Sequence, residues 1–507
     1  MKAAYKTISL GLAVLFSLTL VSCRPNGTTS IEQDENKSGQ STTSVEDAAG
    51  TSSTTQSNNL STTPTTSKTT RITEPEITTI PGDSKRLRFI ESVKGFVLDI
   101  KNPWNGAPPG TAIYKSTNAV EQTVESRFGV TINETGLTTQ YNQAVASSLA
   151  AGRPLADLLM LQGFDFYNYF TKNYFARLNV PMETSGVTFT EPWYNQGAKS
   201  FFNIDGKQLA WIGAKGDPYT ILYNKTMLKS SGLKEPVELV ANGQWTFDKL
   251  KDYSKKLTTS GRNGLESPST VDFLISLVDS DGGKLYHVDK TGKLQTNYNA
   301  ETSRNGMQRL YDWSKDKTVV FPTGDWDQAY KNFITKKTAM LHATGHWQNL
   351  LPSDFGDEVG VVVFPKGPKA TTYADETYIN WISFIPNKMQ NDAAKILFLR
   401  NEMWRVSYTY WKGDYPEQQG KYLMKNSKSY NEYYNLVYGL GGYKTGVEAV
   451  GLLFPTSGDM CYKTMADKMV GPSAKTPSQI IGEHGKQLDA ATEKTWGKYK
   501  FTGLAEK

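Results

Sequence analysis

Two histidines stand four residues apart, a spacing at which one face of a helix can hold a zinc ion. They are His342 and His346, and the remaining histidines are His287 and His484. No acidic residue lies between the pair to act as a general base, and Gly345 interrupts a helix there. We therefore predict that the pair are surface or loop histidines and that the chain has no metal site.

Three short strings match the pattern of a serine hydrolase that acts on β-lactams. They are the segments 231–234, 429–431 and 444–446, with the sequences Ser-Gly-Leu-Lys, Ser-Tyr-Asn and Lys-Thr-Gly. The nucleophile of such an enzyme opens a buried helix. Gly232 and Pro236 favour a turn instead, so we predict that these strings carry no chemistry.

Paired carboxylates could cleave a glycosidic bond if they lay at a defined separation. Asp325 and Asp327 are close in sequence, but a one-residue spacing is more typical of a solvated loop. No Gly-x-Ser-x-Gly, P-loop or dinucleotide-binding string occurs. The sequence therefore disfavours an enzyme, and we expect neither a catalytic residue nor a cofactor.

Composition narrows the possible partners. The net charge is +6 with 21% charged residues, and Lys and Arg form no cluster, so we expect no nucleic acid partner. Aromatic residues are abundant, with 11 Trp, 27 Tyr and 21 Phe. An indole is costly to bury unless its N–H finds a partner, so some of these rings should line a groove.

The first 22 residues read as an export signal. Lys2 and Lys6 precede an apolar run from Ile8 to Val21, which is too short to span a membrane comfortably. The run ends in Leu-Val-Ser-Cys, which resembles the bacterial lipobox. This resemblance implies cleavage before Cys23 and attachment of lipid to its thiol, with acyl chains such as palmitate holding the chain on the extracellular face of the cell membrane. Cys461 is then left without a disulfide partner.

Residues 23–85 have a different composition from the rest of the chain. Ser, Thr, Asn, Gln and Gly dominate, with few large apolar residues to offset chain entropy, so we predict a disordered linker. A coil of about 60 residues would reach roughly 45 Å. Such a spacer suits a domain held away from a membrane and favours a Gram-positive source.

The globular part begins with alternating strand and helix patterns. We predict strands at 95–100, 130–132 and 158–161, and helices at 116–128 and 141–151 that end at Gly129 and Gly152. This β-α-β-α-β order indicates a parallel sheet with helices on its faces. Sites in such sheets follow the carboxyl ends of strands, here at 102–104 and 162–166. Further along, we predict a helix at 246–257 and strands at 359–364 and 378–385.

Four motifs resemble the carbohydrate class of extracellular solute-binding proteins, the maltose-binding-like family of bacterial ABC importers. The first is Ala-Gly-Arg-Pro-Leu-Ala-Asp at 151–157, with two residues inserted before the Asp. The second is Tyr223-Asn224-Lys225 followed by Gly-Leu and Trp-Thr. The third runs from Phe333 through Ala-Met to Gly-x-Trp at 345–347, with Lys337 where Gly is usual. The fourth is Val-Gly-Val at 359–361, followed by Pro-x-Gly-Pro.

This resemblance implies an α/β, two-lobed, periplasmic-binding-protein-like fold of type II with crossover hinge strands. The first lobe is expected at 86–215, the second at 216–380, and a mostly helical returning segment at 381–507. The crossovers are expected near 209–223 and 378–384. A monomer of this kind closes over a ligand between its lobes and presents them to a membrane permease.

A sugar has flat apolar faces and a hydroxyl rim, so its site needs aromatic rings together with polar groups. The resemblance and the strand ends suggest Trp347, Trp381, Trp104, Asp165, Phe164, Tyr219, Glu376 and Asp272 as ligand-binding residues. Each has a structural alternative: Trp347 could pack on a helix containing Ala339 and Met340, and Asp165 could cap a helix. We interpret Tyr223 and Asn224 as structural.

The sequence leaves several functions open. A small saccharide delivered to ABC permease subunits is the preferred interpretation, and the aromatic content favours an oligosaccharide. A uronide or a non-sugar ligand stays possible. A sensor that reports the ligand to a signalling partner would have the same cleft, and a secreted polysaccharide hydrolase is the least favoured alternative.

Overall fold

The computed structural model describes residues 84–102, 112–136, 141–191, 193–194, 196–213, 217–323, 327–344, 359–378, 381–410, 444–447 and 461–504. The signal peptide, the linker up to residue 83 and three predicted functional residues lie outside the described residues, whereas residues 84–85, predicted as linker, open the helix Ser84–Ser92. Those three are Cys23, Trp104 and Trp347.

The described strands follow one another along the chain as follows: β1 Val97–Lys101, β2 Thr131–Thr135, β3 Leu158–Gln162, β4 Asn203–Ile204, β5 Lys207–Gln208, β6 Asp217–Asn224, β7 Asn263–Glu266, β8 Tyr286–Val288, β9 Leu294–Thr296, β10 Thr338–Thr344, β11 Val359–Val363, β12 Ala374–Tyr378, β13 Trp381–Phe384 and β14 Lys444–Val447. The described helices are α1 Ser84–Ser92, α2 Ala112–Phe128, α3 Tyr141–Ala150, α4 Phe166–Phe170, α5 Asn179–Ser185, α6 Gln196–Phe201, α7 Lys225–Ser230, α8 Pro236–Ala241, α9 Phe247–Leu257, α10 Thr270–Asp279, α11 Glu301–Lys315, α12 Gln328–Ile334, α13 Ala393–Tyr410, α14 Tyr462–Asp467 and α15 Pro477–Trp496. Short 3-10 helices occupy Gly163–Asp165 and Asn387–Met389.

The first sheet has the strand order β13-β3-β1-β2. β1 is parallel to both β2 and β3, so the predicted β-α-β-α-β order is confirmed, with α2 and α3 as the connecting helices. Gly129 and Gly152 follow these helices with φ of 64° and 67°, the left-handed conformation that glycine adopts without strain. α13 packs against α2 on one face of this sheet, where Phe128 meets Phe398 edge to face at 5.1 Å.

The second sheet has the order β14-β12-β6-β10-β7, and β11 also pairs with β6. β10 is antiparallel to β6 and parallel to β7. Every residue of β10 and β11 is buried. The helix that the sequence suggested through Ala339 and Met340 is therefore wrong. These residues belong to a central strand, whose two buried faces give no alternation of apolar and polar residues.

The chain passes twice from one sheet to the other. The backbone of Trp211 bridges that of Ser383 in β13, and from residue 217 onwards the chain pairs within the second sheet. On the return, β12 pairs with β6, whereas β13 pairs with β3. The predicted strand at 378–385 contains β13, and its first residue, Tyr378, is the last residue of β12 in the other sheet. Two α/β lobes joined by crossover strands confirm the predicted fold class. The lobe limits at 215 and 380 stay predictions, because residues 214–216 and 379–380 lie outside the described residues.

In the turn after α12, the left-handed residue is not Lys337, where the family resemblance places a usual glycine. Lys336 donates its amide to the carbonyl of Phe333 (3.0 Å), and Lys337 donates to that of Asn332 (2.8 Å), the pattern of a Schellman cap. Lys336, with φ of 63°, adopts the left-handed conformation. The position that favours glycine is thus Lys336 and not Lys337.

Lys336→Gly is expected to raise the free energy of unfolding by about 0.5–1 kcal/mol, because a left-handed residue with a Cβ atom is strained. Thermal and urea unfolding of the purified chain measure this gain. Lys337→Gly is the matched control, since Lys337 has no such strain to relieve and glycine only adds entropy to the unfolded chain. Equal effects of the two substitutions would contradict the assignment.

Candidate ligand-binding cleft

The parallel strands of the first sheet end along one edge. β1 continues into Asn102, whose backbone amide donates to the carbonyl of Thr135 at the end of β2 (3.0 Å). The Asn102 side-chain amide donates to the carboxylate of Glu134. β3 runs parallel to β1 and leads into the 3-10 helix that contains Asp165. Polar groups therefore follow the carboxyl ends of all three parallel strands, where a site is expected.

A buried ion pair lies at this edge and joins α13 to the sheet. Nη1 of Arg400 is 3.3 Å from Oε2 of Glu134, and the two side chains are 7% and 3% exposed. The Arg400 guanidinium lies 5.3 Å from the ring centroid of Trp404, one helical turn later. Burial keeps the two side chains together. The enclosed guanidinium has lost its hydrating water, and the negative charge of the carboxylate compensates for that loss.

Glu121, on α2, lies close enough to this pair to be affected by its charges. Burial, together with the negative charges of Glu134 and Glu125 and against the positive charge of Arg400, raises its pKa to about 7. Its Oε1 is buried and has no hydrogen-bond partner among the described residues. The carboxyl group therefore titrates near neutral pH.

Trp404 packs directly on the first crossover. A Cβ atom at Gly213 would lie 2.3 Å from Cε2 of the Trp404 indole, so the crossover needs glycine at this position. The indole N–H is buried without a partner among the described residues. Glu121, Glu134, Arg400 and Trp404 are not among the site residues predicted from the sequence. The spacing of Arg400 and Trp404 on one helix face was the signal that could have indicated them.

Asp165 stands at the carboxyl end of β3, as predicted. Burial raises its pKa to about 6, and no neighbouring charge contributes to the change. Its Oδ2 is buried and lacks a hydrogen-bond partner within the described part of the chain. The carboxyl group is thus available to bind a donor brought to it.

Asp272 occupies the corresponding place in the second lobe, in the first turn of α10 after the end of β7. Ser269 caps the helix by accepting the Asp272 amide (3.3 Å). Burial outweighs the lowering effects of Tyr219, Ser269 and the charge of Lys463, and leaves the pKa of the Asp272 carboxyl raised to about 6. Two residues that the sequence suggested, Tyr219 and Asp272, therefore lie close enough for Tyr219 to affect the Asp272 pKa.

The ring of His342 packs against the ring of Tyr219. Their rings stack with centroids 5.1 Å apart and planes 20° apart. The hydroxyls of Ser267 and Ser276 lie 3.0 Å and 3.1 Å from the two ring nitrogens of His342. Burial lowers its pKa to about 3, so the ring is neutral at physiological pH. The expectation of a surface or loop position for His342 is wrong, because this residue lies inside a central strand; His346 lies outside the described residues.

Three other predicted residues have a described backbone but no described side chain. Phe164 lies in the 3-10 helix after β3. Trp381 pairs with Gln162 at the start of β13, and Glu376 pairs with Gly446 in β12. All three backbones are at or next to the strand edges and crossovers described above. Their roles as ligand contacts, like those of Trp104 and Trp347, stay predictions.

The most recognisable motif residues serve the fold. The Tyr223 hydroxyl donates to Glu235 (2.9 Å), and its ring covers Gly360, where a Cβ would lie 2.1 Å from Cζ. Asn224 caps α7 by accepting the Met227 amide. The serine of the Ser-Gly-Leu-Lys string lies at the C-terminal end of α7 and is followed by a left-handed glycine, so it opens no buried helix.

A surface cavity of about 710 Å³ lies between β9 and α15. None of its lining residues stands at the carboxyl edges of the two larger sheets. Its carboxylate Asp489 accepts hydrogen bonds from Thr296 and from Tyr298 (2.7 Å), so its oxygens are already bound. This cavity is therefore separate from the candidate cleft.

Two features are absent from the described residues. Within them, no group of three or more His, Cys, Asp or Glu side chains is placed to hold a metal ion. No helix in the described ranges is both long and apolar enough to cross a membrane.

The two lobes have polar strand ends and are joined by paired crossovers. This arrangement is that of a binding protein of the hinged two-lobed class. The sequence model of the bacterial extracellular solute-binding proteins matches residues 119–397, more than half of the chain. The chain belongs to this family, which confirms the resemblance carried by the four motifs. No curated protein sequence matches the chain.

Solved structures of similar fold are distant in sequence. The cyclic α-maltosyl-1,6-maltose binding protein from Arthrobacter globiformis is 14% identical, with a TM-score of 0.58 over 79% of this chain and 100% of that one. An ABC substrate-binding protein from Listeria monocytogenes in complex with cycloalternan is 17% identical, with a TM-score of 0.53 over 80% and 100%. Maltose-bound MalE3 of T. maritima is 16% identical, with a TM-score of 0.53 over 78% and 100%. These similarities establish the fold.

Proposed function

We propose that the chain is the substrate-binding lipoprotein of an ABC importer. It binds a small saccharide between its lobes and delivers it to a membrane permease. We favour an oligosaccharide as this ligand. The observation that supports this most directly is the placement of carboxyl, amide and hydroxyl groups at the carboxyl ends of both sheets, beside two crossovers that can act as a hinge. The sugars named for the structures of similar fold favour a saccharide ligand.

Each part of the proposed site has a role in binding a sugar. Asp165, Asp272, Tyr219 and Glu376 hydrogen-bond to ring hydroxyls, and Trp347, Trp381, Trp104 and Phe164 stack on apolar ring faces. Tyr219 is suited to its role because His342 stacks on its ring and holds it in place before a ligand arrives. Such preorganisation reduces the entropy lost on binding.

Trp347→Ala is expected to abolish the thermal shift that a bound saccharide causes. A ligand that binds only the folded chain raises its melting temperature, by an amount that grows with the ratio of free ligand to Kd. Neutral and uronic mono- and oligosaccharides are screened against the purified chain, with peptides and polyamines as controls. Trp347→Phe keeps an aromatic face and should keep part of the shift.

Three results would contradict this proposal. A shift with non-sugars alone would leave the fold in place and remove the carbohydrate claim. An unchanged shift in Trp347→Ala would remove Trp347 from the site. Consumption of a saccharide during the assay would show an enzyme.

Cys23→Ser is expected to abolish the labelling of the protein with palmitate. The anchor requires the thiol of Cys23, and the chain behind it would then be held only by an uncleaved signal segment or not at all. Cys461→Ser is the matched control. Cys461 is buried as the N-cap of α14, where Ser is a favoured residue, so labelling should persist. Labelling that survives Cys23→Ser would refute the anchor.

A further inference from the structure

The segment 496–504, which begins at the last residue of α15, lies between the two lobes, and we call it the strap. α15 belongs to the second lobe, because it packs against β9 and α11, and α11 packs against α10, which follows β7 of the second sheet. The packing is close, since a Cβ atom at Gly485 would lie 2.7 Å from Cζ of Tyr298. Beyond α15 the strap contacts α4 and the β4-β5 hairpin, which precede the first crossover. The strap therefore links the lobes in addition to the crossovers.

α4 and the start of the β4-β5 hairpin belong to the first lobe. The ring of Phe166, in α4, lies 5.0 Å from that of Phe202, the residue before β4, and 5.2 Å from that of Phe175. Phe175 in turn lies 4.9 Å from Phe384 of β13, a strand of the first sheet. The first sheet, α4 and the hairpin thus form one packed unit.

One peptide group of the strap is bonded to both lobes. Its oxygen, the carbonyl of Lys500, accepts the amide of Asp205 at the turn of the β4-β5 hairpin (2.7 Å). Its N–H, the amide of Phe501, donates to the carbonyl of Gly292 at the turn of the β8-β9 hairpin (2.8 Å). The oxygen and hydrogen of a trans peptide point in opposite directions, so this group lies between two hairpin turns, one from each lobe. Movement of one turn away from the other must break one of these bonds.

Further hydrogen bonds hold the strap to the first lobe. Oδ1 of Asp205 accepts the Lys500 amide (2.8 Å), and Oγ1 of Thr502 accepts the amide of Gly206 (3.0 Å). The Thr502 hydroxyl donates to Oδ1 of Asn203 (2.5 Å). These three bonds lie at the surface, so they can be removed without opening the core.

Aromatic rings pack at the same junction. Phe501 is fully buried, and its ring centroid lies 5.2 Å from that of Trp496. The ring of Phe170, at the end of α4, stacks on Trp496 (5.4 Å, with 28° between the planes) and meets Tyr499 edge to face (4.7 Å). α4 directly follows the 3-10 helix that contains Asp165. The strap therefore packs against the segment that carries a predicted ligand contact.

We propose that the strap restricts the hinge: it holds the two lobes in the arrangement seen in the structure, and the lobes change arrangement only when it is released from the first lobe. The inference rests on the proposed function, in which ligand binds between lobes that move, and concerns the regulation of that site. Rotation of one lobe against the other about the crossovers displaces the two hairpin turns. The strap opposes this motion because it is bonded to both turns.

Distances between the lobes test this inference without any ligand. Single-molecule fluorescence energy transfer is measured between dyes attached to Gln122→Cys in α2 and Lys249→Cys in α9, two exposed positions on different lobes. The full chain also carries Cys23→Ser and Cys461→Ser, so that only the introduced thiols are labelled. We expect this chain to give one narrow distribution of distances.

Asp205→Gly/Thr502→Val removes the three surface bonds and keeps the hairpin turn, because glycine suits residue 205, whose φ is 51°. A net hydrogen bond shifts an equilibrium by a factor of about 2–10, so the share of molecules at other lobe distances should rise at least about fivefold. Deletion of residues 500–507 also removes the bridging peptide group and should raise this share further. Asp205→Asn/Thr502→Ser is the matched control, because it keeps both acceptor oxygens, and it should leave the distribution unchanged. Circular dichroism confirms that each variant is folded.

The outcomes separate this inference from the proposed function. A distribution that widens in Asp205→Gly/Thr502→Val and not in Asp205→Asn/Thr502→Ser supports the strap. An unchanged distribution, an equal widening in both variants, or a distribution that is already as wide in the starting chain overturns it. Saccharide binding is measured separately by the thermal shift, and its absence would remove the proposed function whatever the distances show.

Discussion

Arg400→Met is expected to lower the free energy of unfolding by about 3–5 kcal/mol. The substitution removes the cation that pairs with Glu134 and leaves that carboxylate almost entirely enclosed beside Glu121. An uncompensated buried charge costs far more than the loss of a surface contact. Urea unfolding at pH 7.5, followed by tryptophan fluorescence, measures the change. The result expected from an exposed pair is different: Lys94→Met, which removes a partner of Glu91 at the surface, should change stability by less than about 1 kcal/mol.

A double variant separates loss of the charge pair from loss of packing. In Glu134→Gln/Arg400→Met no buried charge is left without a partner, so most of the lost stability should return. Asn102 can still donate to the Gln oxygen, which keeps the link between β1 and β2. If the double variant is as unstable as Arg400→Met alone, the arginine acts through its packing on Trp404 and not through its charge.

The parts of the fold that the sequence predicted well are governed by local signals. α2 and α3 end next to Gly129 and Gly152 because those positions need positive φ, and glycine is visible in a sequence. The amphipathic pattern of α9 likewise predicted a helix at 246–257, where the structure has Phe247–Leu257. Helix ends and amphipathic helices depend on residues that are close to one another in the chain. A single sequence is therefore enough to predict them.

The parts that could not be predicted depend on contacts distant in the chain. β12 and β13 are separated by only two residues, and their partners β6 and β3 assign them to different lobes. The sequence also does not indicate that His342 lies in a buried strand, because the apolar residues around it have neither a helical nor a strand period. Arg400 and Glu134 are 266 residues apart, and nothing short of the packing of α13 on α2 brings them together.

The candidate site was predictable where strand ends define it. Asp165 follows β3, and the rule that sites follow the carboxyl ends of parallel strands places it without any structure. Tyr219 and Asp272 came from resemblance to the family, and the structure adds that they are close enough for Tyr219 to lower the pKa of Asp272. What the sequence could not give is the charge balance, because the pairing of Arg400 with Glu134 and of Lys463 with Asp467 exists only in three dimensions.

His342→Phe is expected to remove a large part of the acid sensitivity of the fold. Burial lowers the pKa of His342 from 6.5 to about 3, so between these values the unfolded chain binds a proton that the folded chain does not. The contribution of His342 to the free energy of unfolding is fully present above pH 6.5. It falls by about 1.4 kcal/mol for each pH unit as the pH drops towards 3. Between pH 7.5 and 4.5 the loss amounts to about 2–3 kcal/mol, and Phe, which cannot bind a proton, avoids it.

Buried carboxyls change stability in the opposite sense over the same range. Asp165, Asp272 and Glu121 have raised pKa values, so their contribution is fully present at low pH and is lost as the pH rises towards 6–7. The pH dependence of the unaltered chain combines both effects. The difference between its stability and that of His342→Phe at each pH isolates the histidine, because the carboxyls are common to both.

Urea unfolding at half-unit intervals from pH 4.5 to 7.5 measures this difference. At pH 7.5 the Phe variant should be less stable by about 1–2 kcal/mol, since the hydroxyls of Ser267 and Ser276 lose the ring nitrogens. At pH 4.5 the order should be equal or reversed. His342→Gln, which keeps a polar group for the two serines but cannot be protonated, should lose the same slope with a smaller deficit at pH 7.5. If both variants keep the slope of the unaltered chain, His342 becomes protonated in the folded state, and Tyr219 then rests on a charged ring and not on a neutral one.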